Sequence, residues 1–159
     1  MCIRDRGVGS RFSFSLAMVE AAAPVQLFTT AASREALAGR RVLVAEDNII
    51  NQKVLSAMLA RSEVSLRIAS DGLECIAMCA EEQPEIILMD CQMPRCDGYE
   101  ATRRLREAGV EVPIIAVTAS TMPGDRQRSL EAGMNAHLTK PIKVAELDEV
   151  LMHWLARVA

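Results

Sequence analysis

The stretch Glu85-Ile86-Ile87-Leu88-Met89-Asp90 determines the predicted fold class, because its apolar residues run without a polar interruption and end on an acid. Such a run is typical of a strand buried on both faces of a parallel sheet. Residues 41–46 and 112–118 show the same pattern, whereas residues 65–69 and 136–139 mix polar and apolar residues, as edge strands do. The sequence therefore predicts five strands, three of them inside a sheet.

Helical patterns separate these strands, at residues 48–61, 71–82, 99–108, 124–132 and 143–158. The apolar faces expected for the first two helices are Ile50, Val54, Ala57 and Met58, and Leu73, Ile76, Ala77 and Ala80. Strict alternation of strand and helix predicts an α/β fold with helices on both faces of a parallel sheet. The strand order 2-1-3-4-5 buries the three apolar strands, so we predict a flavodoxin-like, doubly wound five-stranded sheet, (βα)5.

The composition, with 50% hydrophobic and 25% charged residues, is that of an ordinary globular protein. A net charge of −3 provides no basic field, so no nucleic-acid partner is expected. No apolar run approaches the roughly 20 residues that cross a bilayer, so we expect no membrane span within this chain. The five cysteines form no CxxC pair, which favours reduced thiols in a cytoplasmic protein.

The sequence predicts a boundary near residue 40. Residues 1–39 show no sustained period, and we interpret them as a poorly ordered tail or linker, with residues 40–159 as the folded domain. The opening Met1-Cys2-Ile3-Arg4-Asp5-Arg6 resembles a translated sequencing adapter, so part of the tail is expected to be non-native. The alternative is a cleaved export signal, because arginines precede the apolar residues 12–19.

Acidic side chains follow two of the predicted inner strands. Glu46 and Asp47 come after the first strand, and Asp90 ends the third. These strand ends are neighbours in the order 2-1-3-4-5, so the three carboxylates converge. A helix N-cap at Asp47 or Asn48 explains at most one acid, and the cluster would repel itself without a cation. Mg²⁺ binds hard oxygen ligands and keeps some of its waters, so it is the metal ion expected at this cluster.

Two further polar residues end strands at the same edge. Lys140 follows the fifth strand and precedes Pro141, and Thr118 ends the fourth strand. Alone, Lys140 would be interpreted as a solvated surface lysine and Thr118 as an ordinary strand residue. Beside the acids, an ammonium and a hydroxyl can bind phosphoryl oxygens. The set favours aspartyl-phosphate chemistry, in which a carboxylate attacks phosphorus while a metal ion and a cation spread the charge.

The sequence resembles the receiver domains of response regulators, in particular those attached to hybrid sensor histidine kinases. The resemblance covers roughly residues 40–157. It rests on Val42-Leu43-Val44-Ala45-Glu46-Asp47-Asn48 with Asn51-Gln52-Lys53, on Leu88-Met89-Asp90-Cys91-Gln92-Met93-Pro94 with Asp97-Gly98, on Pro113-Ile114-Ile115-Ala116-Val117-Thr118-Ala119, and on Leu138-Thr139-Lys140-Pro141.

The resemblance implies a role for each matching acid. Asp90 is the implied phosphoacceptor. Glu46 and Asp47 are the implied acidic pair for Mg²⁺, and Asp90 and the backbone carbonyl of Gln92 are the further ligands. A haloacid-dehalogenase-like phosphatase also uses an aspartyl nucleophile and Mg²⁺. Such a phosphatase has a second Asp two residues after the nucleophile, and this chain has Gln92 at that position.

The resemblance also implies a phosphoryl-binding and switching set. Lys140 would contact the phosphoryl group, and its bond to Pro141 is commonly cis in the family. Thr118 would be the switch hydroxyl, with Ala119 beside it. The family's switch aromatic, three residues before the lysine, is replaced by His137. This receiver could therefore couple differently or respond to pH, although we favour a tolerated substitution on an edge strand.

The implied function is that of a phosphorelay module. Its donor would be phosphohistidine on a histidine kinase or a histidine phosphotransfer protein. The module would catalyse only its own phosphorylation and dephosphorylation, and it would be a stand-alone protein or, as we favour, a fragment of a hybrid histidine kinase. The face of the fourth helix, fifth strand and fifth helix could bind a partner or a second copy. The alternative is a degenerate, non-phosphorylated binding receiver, which usually lacks part of the acid–lysine set.

Overall fold

Strands and helices alternate throughout residues 37–119 and 123–155, the part of the chain that the computed structural model describes. The strands are β1 Arg41–Ala45, β2 Ser65–Ala69, β3 Ile86–Asp90, β4 Ile114–Thr118 and β5 Ala136–Thr139. The α-helices are α1 Ile49–Leu59, α2 Gly72–Glu81, α3 Gly98–Glu107, α4 Pro123–Ala132 and α5 Val144–Leu155, and a short 3-10 helix, Ala60–Ser62, follows α1.

The five strands form one parallel sheet in the order β2-β1-β3-β4-β5. β3 and β4 are buried along their whole length, while the edge strands β2 and β5 are partly exposed. In the register, Ala45 pairs with Met89, Asp90 with Val117, and Thr118 with Thr139. The predicted fold class and strand order are therefore confirmed, and the carboxyl ends of β1, β3, β4 and β5 share one edge.

The sheet separates two hydrophobic cores. Leu43, Ile87 and Met89 face α2, α3 and α4, whereas Val44 and Leu88 face α1 and α5. Alternation along each strand produces this division, because successive side chains point to opposite faces. All four cysteines in the described part of the chain, Cys75, Cys79, Cys91 and Cys96, are unbridged and lie in the first core.

The faces predicted for α1 and α2 are wrong in part, because of the predicted residues only Met58 and Ile76 pack against the cores. α1 buries Leu55 and Leu59 and leaves Ile50 and Val54 exposed. α2 buries Cys75 and Cys79 and leaves Leu73, Ala77 and Ala80 exposed. Each helix carries apolar residues on two sides, so periodicity alone could not fix the side that packs on the sheet. The buried side was decided by docking against β1 and its neighbours.

Three helices begin at side chains that cap them. Asn48 Oδ1 accepts from Ile50 N, Asp71 Oδ1 accepts from Leu73 N and Glu74 N, and Asp97 Oδ1 accepts from Glu100 N. Each cap satisfies backbone donors that have no partner within the helix. Because Asn48 caps α1, the neighbouring Asp47 is not needed for that role.

Leu37 precedes β1 and is buried in the core shared with α1 and α5. The rest of the predicted tail, residues 1–36, lies outside the described residues. No helix of residues 37–119 and 123–155 is long and apolar enough to span a bilayer.

Candidate metal and phosphoacceptor site

Three carboxylates converge at the carboxyl edge of the sheet. One oxygen from each of Glu46, Asp47 and Asp90 lies within 4.8 Å of the others. Glu46 and Asp90 are buried, with 1% and 5% of their surface exposed, whereas Asp47 is exposed. Like charges at this spacing repel one another, so the cluster needs positive charge nearby.

Lys140 supplies part of that charge. Its Nζ lies 2.7 Å from Glu46 Oε2 and 2.6 Å from Asp90 Oδ2. Its backbone N–H donates to the carbonyl of Thr118 at 2.8 Å, which holds the residue against the end of β4. The peptide bond from Lys140 to Pro141 is cis. One ammonium thus bridges carboxylates from two different strand ends.

Burial and pairing act in opposite directions on the charges of this pair. Burial raises the pKa of Asp90, and this effect outweighs the hydrogen bonds from Gln92 N and Lys140 that favour the ionised carboxylate. Burial on its own would lower the pKa of Lys140, but its hydrogen bonds to Asp90 and Glu46 raise it. The pairing therefore favours the ammonium form of Lys140, whereas burial disfavours the charged form of Asp90 more than its hydrogen bonds favour it.

Glu46 is fixed from the side of α1. Asn51 Nδ2 donates to Glu46 Oε1 at 2.8 Å, and Asn48 N donates to the same oxygen at 3.3 Å. The buried Gln52 donates its Nε2 to the Glu46 backbone carbonyl at 2.6 Å. Sequence reasoning gave Asn51 and Gln52 no role. Their amides, spaced five and six residues after Glu46, were the available signal.

Asp90 is fixed by the loop and helix that follow it. Gln92 N donates to Asp90 Oδ1 at 3.0 Å. α3 begins so close to β3 that a β-carbon on Gly98 would lie 2.1 Å from the Asp90 carbonyl oxygen. Only a residue without a side chain fits there. The backbone of Asp90 therefore cannot shift without moving the start of α3.

The switch residues implied by the sequence lie at different depths. Thr118 is buried at the end of β4, and Ala119, which follows it, is exposed. His137 lies opposite Ala116 in the register and is exposed on the edge strand β5. The structure brings four of the predicted groups together at the carboxyl edge of the sheet: the carboxylates of Glu46, Asp47 and Asp90 and the ammonium of Lys140.

A cavity of about 400 Å³ opens beside the site, and Gln92, Thr118, Tyr99 and Arg128 are among its lining residues. The guanidinium carbon of Arg128 lies 4.4 Å from the ring centroid of the buried Tyr99. This is a cation–π contact between α3 and α4. Burial raises the pKa of Tyr99 to about 12, so its hydroxyl stays protonated. No pattern in the sequence indicates this pairing.

The donor set fits Mg²⁺. Carboxylate oxygens from Glu46, Asp47 and Asp90 are hard ligands, and the exposed Asp47 leaves one side of the cluster accessible to water. Mg²⁺ keeps several waters when it binds to a few carboxylates. The cluster provides too few oxygens for a dedicated calcium site, which takes six to eight.

Residues 42–152 match the family described as response regulator receiver domain. The match extends over more than half of the 159 residues, and the chain therefore belongs to this family. The fold and the position of the acid cluster at the carboxyl edge of the sheet agree with that assignment.

Individual relatives are histidine kinases and receiver domains. The chain is 38% identical over 133 residues to the probable histidine kinase 2 of Oryza sativa subsp. indica. The alignment covers 72% of this chain but only 13% of the rice protein. It is 44% identical to the receiver domain of sensor histidine kinase PA1611 from Pseudomonas aeruginosa PAO1, whose crystal structure has a magnesium ion in the active-site cleft. That match has a TM-score of 0.70 and covers 75% of this chain and 99% of that domain.

A third relative is part of a complex. The chain also matches a chain in the co-crystal structure of the Saccharomyces cerevisiae histidine phosphotransfer protein Ypd1 and the receiver domain of the response regulator Ssk1. Identity is 30%, the TM-score is 0.74, and 77% of this chain and 93% of that chain are covered.

Proposed function

We propose that this chain is the phosphoacceptor of a two-component phosphorelay and that it takes a phosphoryl group from phosphohistidine onto Asp90 with Mg²⁺ bound. The observation that carries the proposal is the bridge from Lys140 to Glu46 and Asp90, at 2.7 and 2.6 Å, beside the three-carboxylate cluster. A structural ion pair would need one carboxylate, whereas three acids and one lysine leave net negative charge for a metal ion to balance.

The Asp90 carboxylate is the nucleophile in this proposal. Its oxygen forms the new O–P bond as the P–N bond to the donor imidazole breaks, and that nitrogen keeps the electron pair and takes a proton. The Gln92 N–H orients Oδ1 of Asp90. Lys140, which contacts Oδ2 of Asp90, would move its contact to a phosphoryl oxygen and stabilise the negative charge there. Mg²⁺, held by Glu46, Asp47, Asp90 and the Gln92 carbonyl, would neutralise phosphoryl oxygens during transfer.

The phosphorylated state would be read out at the end of β4. Thr118 lies at the same sheet edge as Asp90, and Thr118 and Ala119 would bind the phosphoryl oxygens. A change there would pass to the face formed by α4, β5 and α5, where a partner or a second copy of the chain would bind. His137 lies exposed on β5 and would form part of that face.

The donor would dock against α1. Ile49, Ile50 and Val54 leave 60%, 67% and 46% of their surfaces exposed directly after the acidic pair. A groove of about 440 Å³ runs from Val54 to Pro141, with Glu46 and Lys140 in its wall. An apolar surface that leads to the acceptor suits a helical histidine kinase or histidine phosphotransfer protein, because a partner helix could pack there while its phosphohistidine reaches Asp90.

We further propose that the chain is the receiver part of a hybrid histidine kinase, active in the cytoplasm, with no substrate other than its own Asp90. The rice relative, of which this chain matches 13%, is named a probable histidine kinase. A continuous upstream reading frame for a kinase would support this origin, and an authentic start site immediately upstream would contradict it.

Intact-mass spectrometry tests the phosphoacceptor role. Wild type incubated with acetyl phosphate and Mg²⁺ should gain one phosphoryl group that hydroxylamine removes and that does not form in EDTA. Asp90→Asn should gain none, while the control Asp125→Asn, which changes an acid on α4 beside the same cavity, should react like wild type. Failure of wild type to react with acetyl phosphate and with phosphohistidine donors would contradict the proposal in favour of a non-phosphorylated binding receiver.

A further inference from the structure

The loop over residues 91–97 joins β3 to α3 and carries Gln92, whose carbonyl is the fourth expected ligand of Mg²⁺. Both ends of the loop are fixed. At its start, Gln92 N donates to Asp90 Oδ1 at 3.0 Å. At its end, Asp97 caps α3 and Gly98 lies directly against the Asp90 carbonyl. No strand or helix includes the middle of the loop, which is anchored by the buried side chains of Met93 and Cys96 and by a hydrogen bond from Cys96 N to the Pro94 carbonyl at 2.7 Å. It also receives support from a neighbouring helix.

The start of α2 provides that support. A β-carbon on Gly72 would lie 2.6 Å from the Cys96 carbonyl oxygen and 3.0 Å from its Sγ, so the loop backbone packs directly on the first turn of α2. One residue earlier, the Asp71 side chain is almost completely buried, with 1% of its surface exposed. Its Oδ1 caps α2, while its Oδ2, which accepts no hydrogen bond among the described residues, forms an ion pair with the guanidinium of Arg95 in the middle of the loop.

Arg95 has an unusual backbone conformation. Its φ is 66°, in the left-handed region that residues with a β-carbon rarely adopt. Such a conformation persists where surrounding contacts hold it, and it is often found beside functional sites. Two contacts hold this conformation: Cys96 N donates to the Pro94 carbonyl at 2.7 Å, which closes a tight turn around Arg95, and the Arg95 side chain, 68% exposed, forms the ion pair. The buried carboxylate of Asp71 therefore contributes, together with this turn, to holding the loop in a conformation that residues with a β-carbon rarely adopt.

We propose that the ion pair between Arg95 and Asp71 positions the Gln92 carbonyl for Mg²⁺, which makes both residues positioning residues of the metal site. The inference rests on the proposed function, since it concerns the same site. Neither residue is expected to touch the ion. They act through the loop backbone, as partners that orient a metal ligand do elsewhere.

The sign of the effect at Arg95 separates positioning from simple electrostatics. A positive charge near a cation site repels the cation, so removal of the guanidinium should tighten Mg²⁺ binding if Arg95 acts only through its field. If Arg95 acts by holding the loop, its removal should weaken Mg²⁺ binding. The field argument and the positioning argument thus predict opposite changes for one substitution.

Mg²⁺ titration of the whole chain, by calorimetry or NMR, measures this change. Arg95→Gln should raise the Kd for Mg²⁺ about tenfold, the lower range for loss of a partner that orients a metal ligand. Asp71→Asn should weaken binding similarly, because asparagine keeps the cap on α2 but loses the charge that Arg95 needs. The double variant should bind no more weakly than the weaker single variant, because both remove one interaction.

Each result decides the question. If Arg95→Gln binds Mg²⁺ as tightly as wild type or more tightly, the proposal is overturned, while Mg²⁺ binding by wild type leaves the proposed function standing. If wild type itself binds no Mg²⁺, the proposed function fails and the inference fails with it. Thermal unfolding shows whether each variant folds. If Asp71→Asn does not fold, Arg95→Gln decides the test, because the Arg95 side chain is largely exposed and its replacement leaves the core intact.

Discussion

Lys140 and Asp90 are 50 positions apart in the sequence, yet Nζ of the lysine lies 2.6 Å from Oδ2 of the aspartate. The contact exists because β3, β4 and β5 are parallel neighbours, so their carboxyl ends meet at one edge. The same ammonium reaches Glu46, which follows β1. The fold therefore brings together two carboxylates and a cation that no local stretch of sequence contains.

This contact predicts the effect of Lys140→Gln. The ammonium is placed to stabilise charge that develops on the phosphoryl group, so its loss should slow phosphorylation by acetyl phosphate about a hundredfold. The rate of adduct formation, followed by intact mass, measures the change. Lys143→Gln is the matched control, because Lys143 is exposed and pairs with Glu146 on the surface. Equal rates in the two variants would remove Lys140 from its proposed role.

The acid cluster predicts that Mg²⁺ stabilises the fold. A ligand that binds the native state adds about 2.7 kcal/mol at a hundredfold excess over its Kd. Asp47→Asn should lose most of this increment. Without Mg²⁺ the variant should be at least as stable as wild type, because one like charge leaves the cluster. Thermal melts with and without Mg²⁺ test this, with the exposed Glu149→Gln as control. The same Mg²⁺ shift in Asp47→Asn as in wild type would contradict the assignment.

Glu85 predicts a pH-dependent contribution to stability. Burial favours its neutral form, but hydrogen bonds from Arg41 N at 2.8 Å and Arg40 Nη1 at 2.7 Å outweigh burial and lower the pKa of Glu85 below 4.5. A carboxyl with a lowered native pKa adds stability above its unfolded pKa and loses it as the pH falls through the native value. Glu85→Gln should therefore cost about 1 kcal/mol at neutral pH.

Urea unfolding of wild type and Glu85→Gln across this range measures the difference. We expect the gap between the two proteins to be constant above pH 4.5 and to close in stronger acid, where the Glu85 carboxyl is protonated. A gap that keeps its full size in acid would mean that the charge of Glu85 contributes nothing.

The close approach at Gly98 predicts a large loss of stability in Gly98→Ala. The added β-carbon would lie 2.1 Å from a backbone oxygen of Asp90, which has no flexible end that could move away. We expect a cost of about 3 kcal/mol in urea unfolding. Gly124→Ala is the control, since nothing lies within 4 Å of its β-carbon position in α4. It should gain about 0.5 kcal/mol. Similar stabilities of the two variants would contradict the packing described for α3.

Much of the fold could be predicted because its decisive patterns are local. The apolar runs of β1, β3 and β4 indicate burial on both faces, and the strand order follows from the need to bury them. The acids and the lysine could be placed because each ends a strand or lies just after one. What could not be predicted depends on how helices dock. Gln52 is buried against the Glu46 carbonyl, and Ile50 and Val54 are exposed, because packing on the sheet selected one of two apolar sides.

Other parts of the site are contacts between distant side chains. Arg95 meets Asp71 and Arg128 covers Tyr99 only after the loop, α2, α3 and α4 have packed on one face of the sheet. Neither pair has a periodic or motif signal, since one residue of each is an ordinary surface arginine in the sequence. The exposure of His137 could be anticipated from the mixed pattern of β5, but its effect on switching stays a prediction.

The most direct test of the central claim is to trap the acyl phosphate on the residue that carries it. After phosphorylation in Mg²⁺, borohydride reduces a phosphorylated aspartate to homoserine, and peptide mass spectrometry locates the change in the sequence. The account predicts homoserine at position 90 and at no other acid, with none formed in the absence of Mg²⁺. Reduction at Glu46, Asp47 or elsewhere, or at no residue of a protein that binds Mg²⁺, would contradict it.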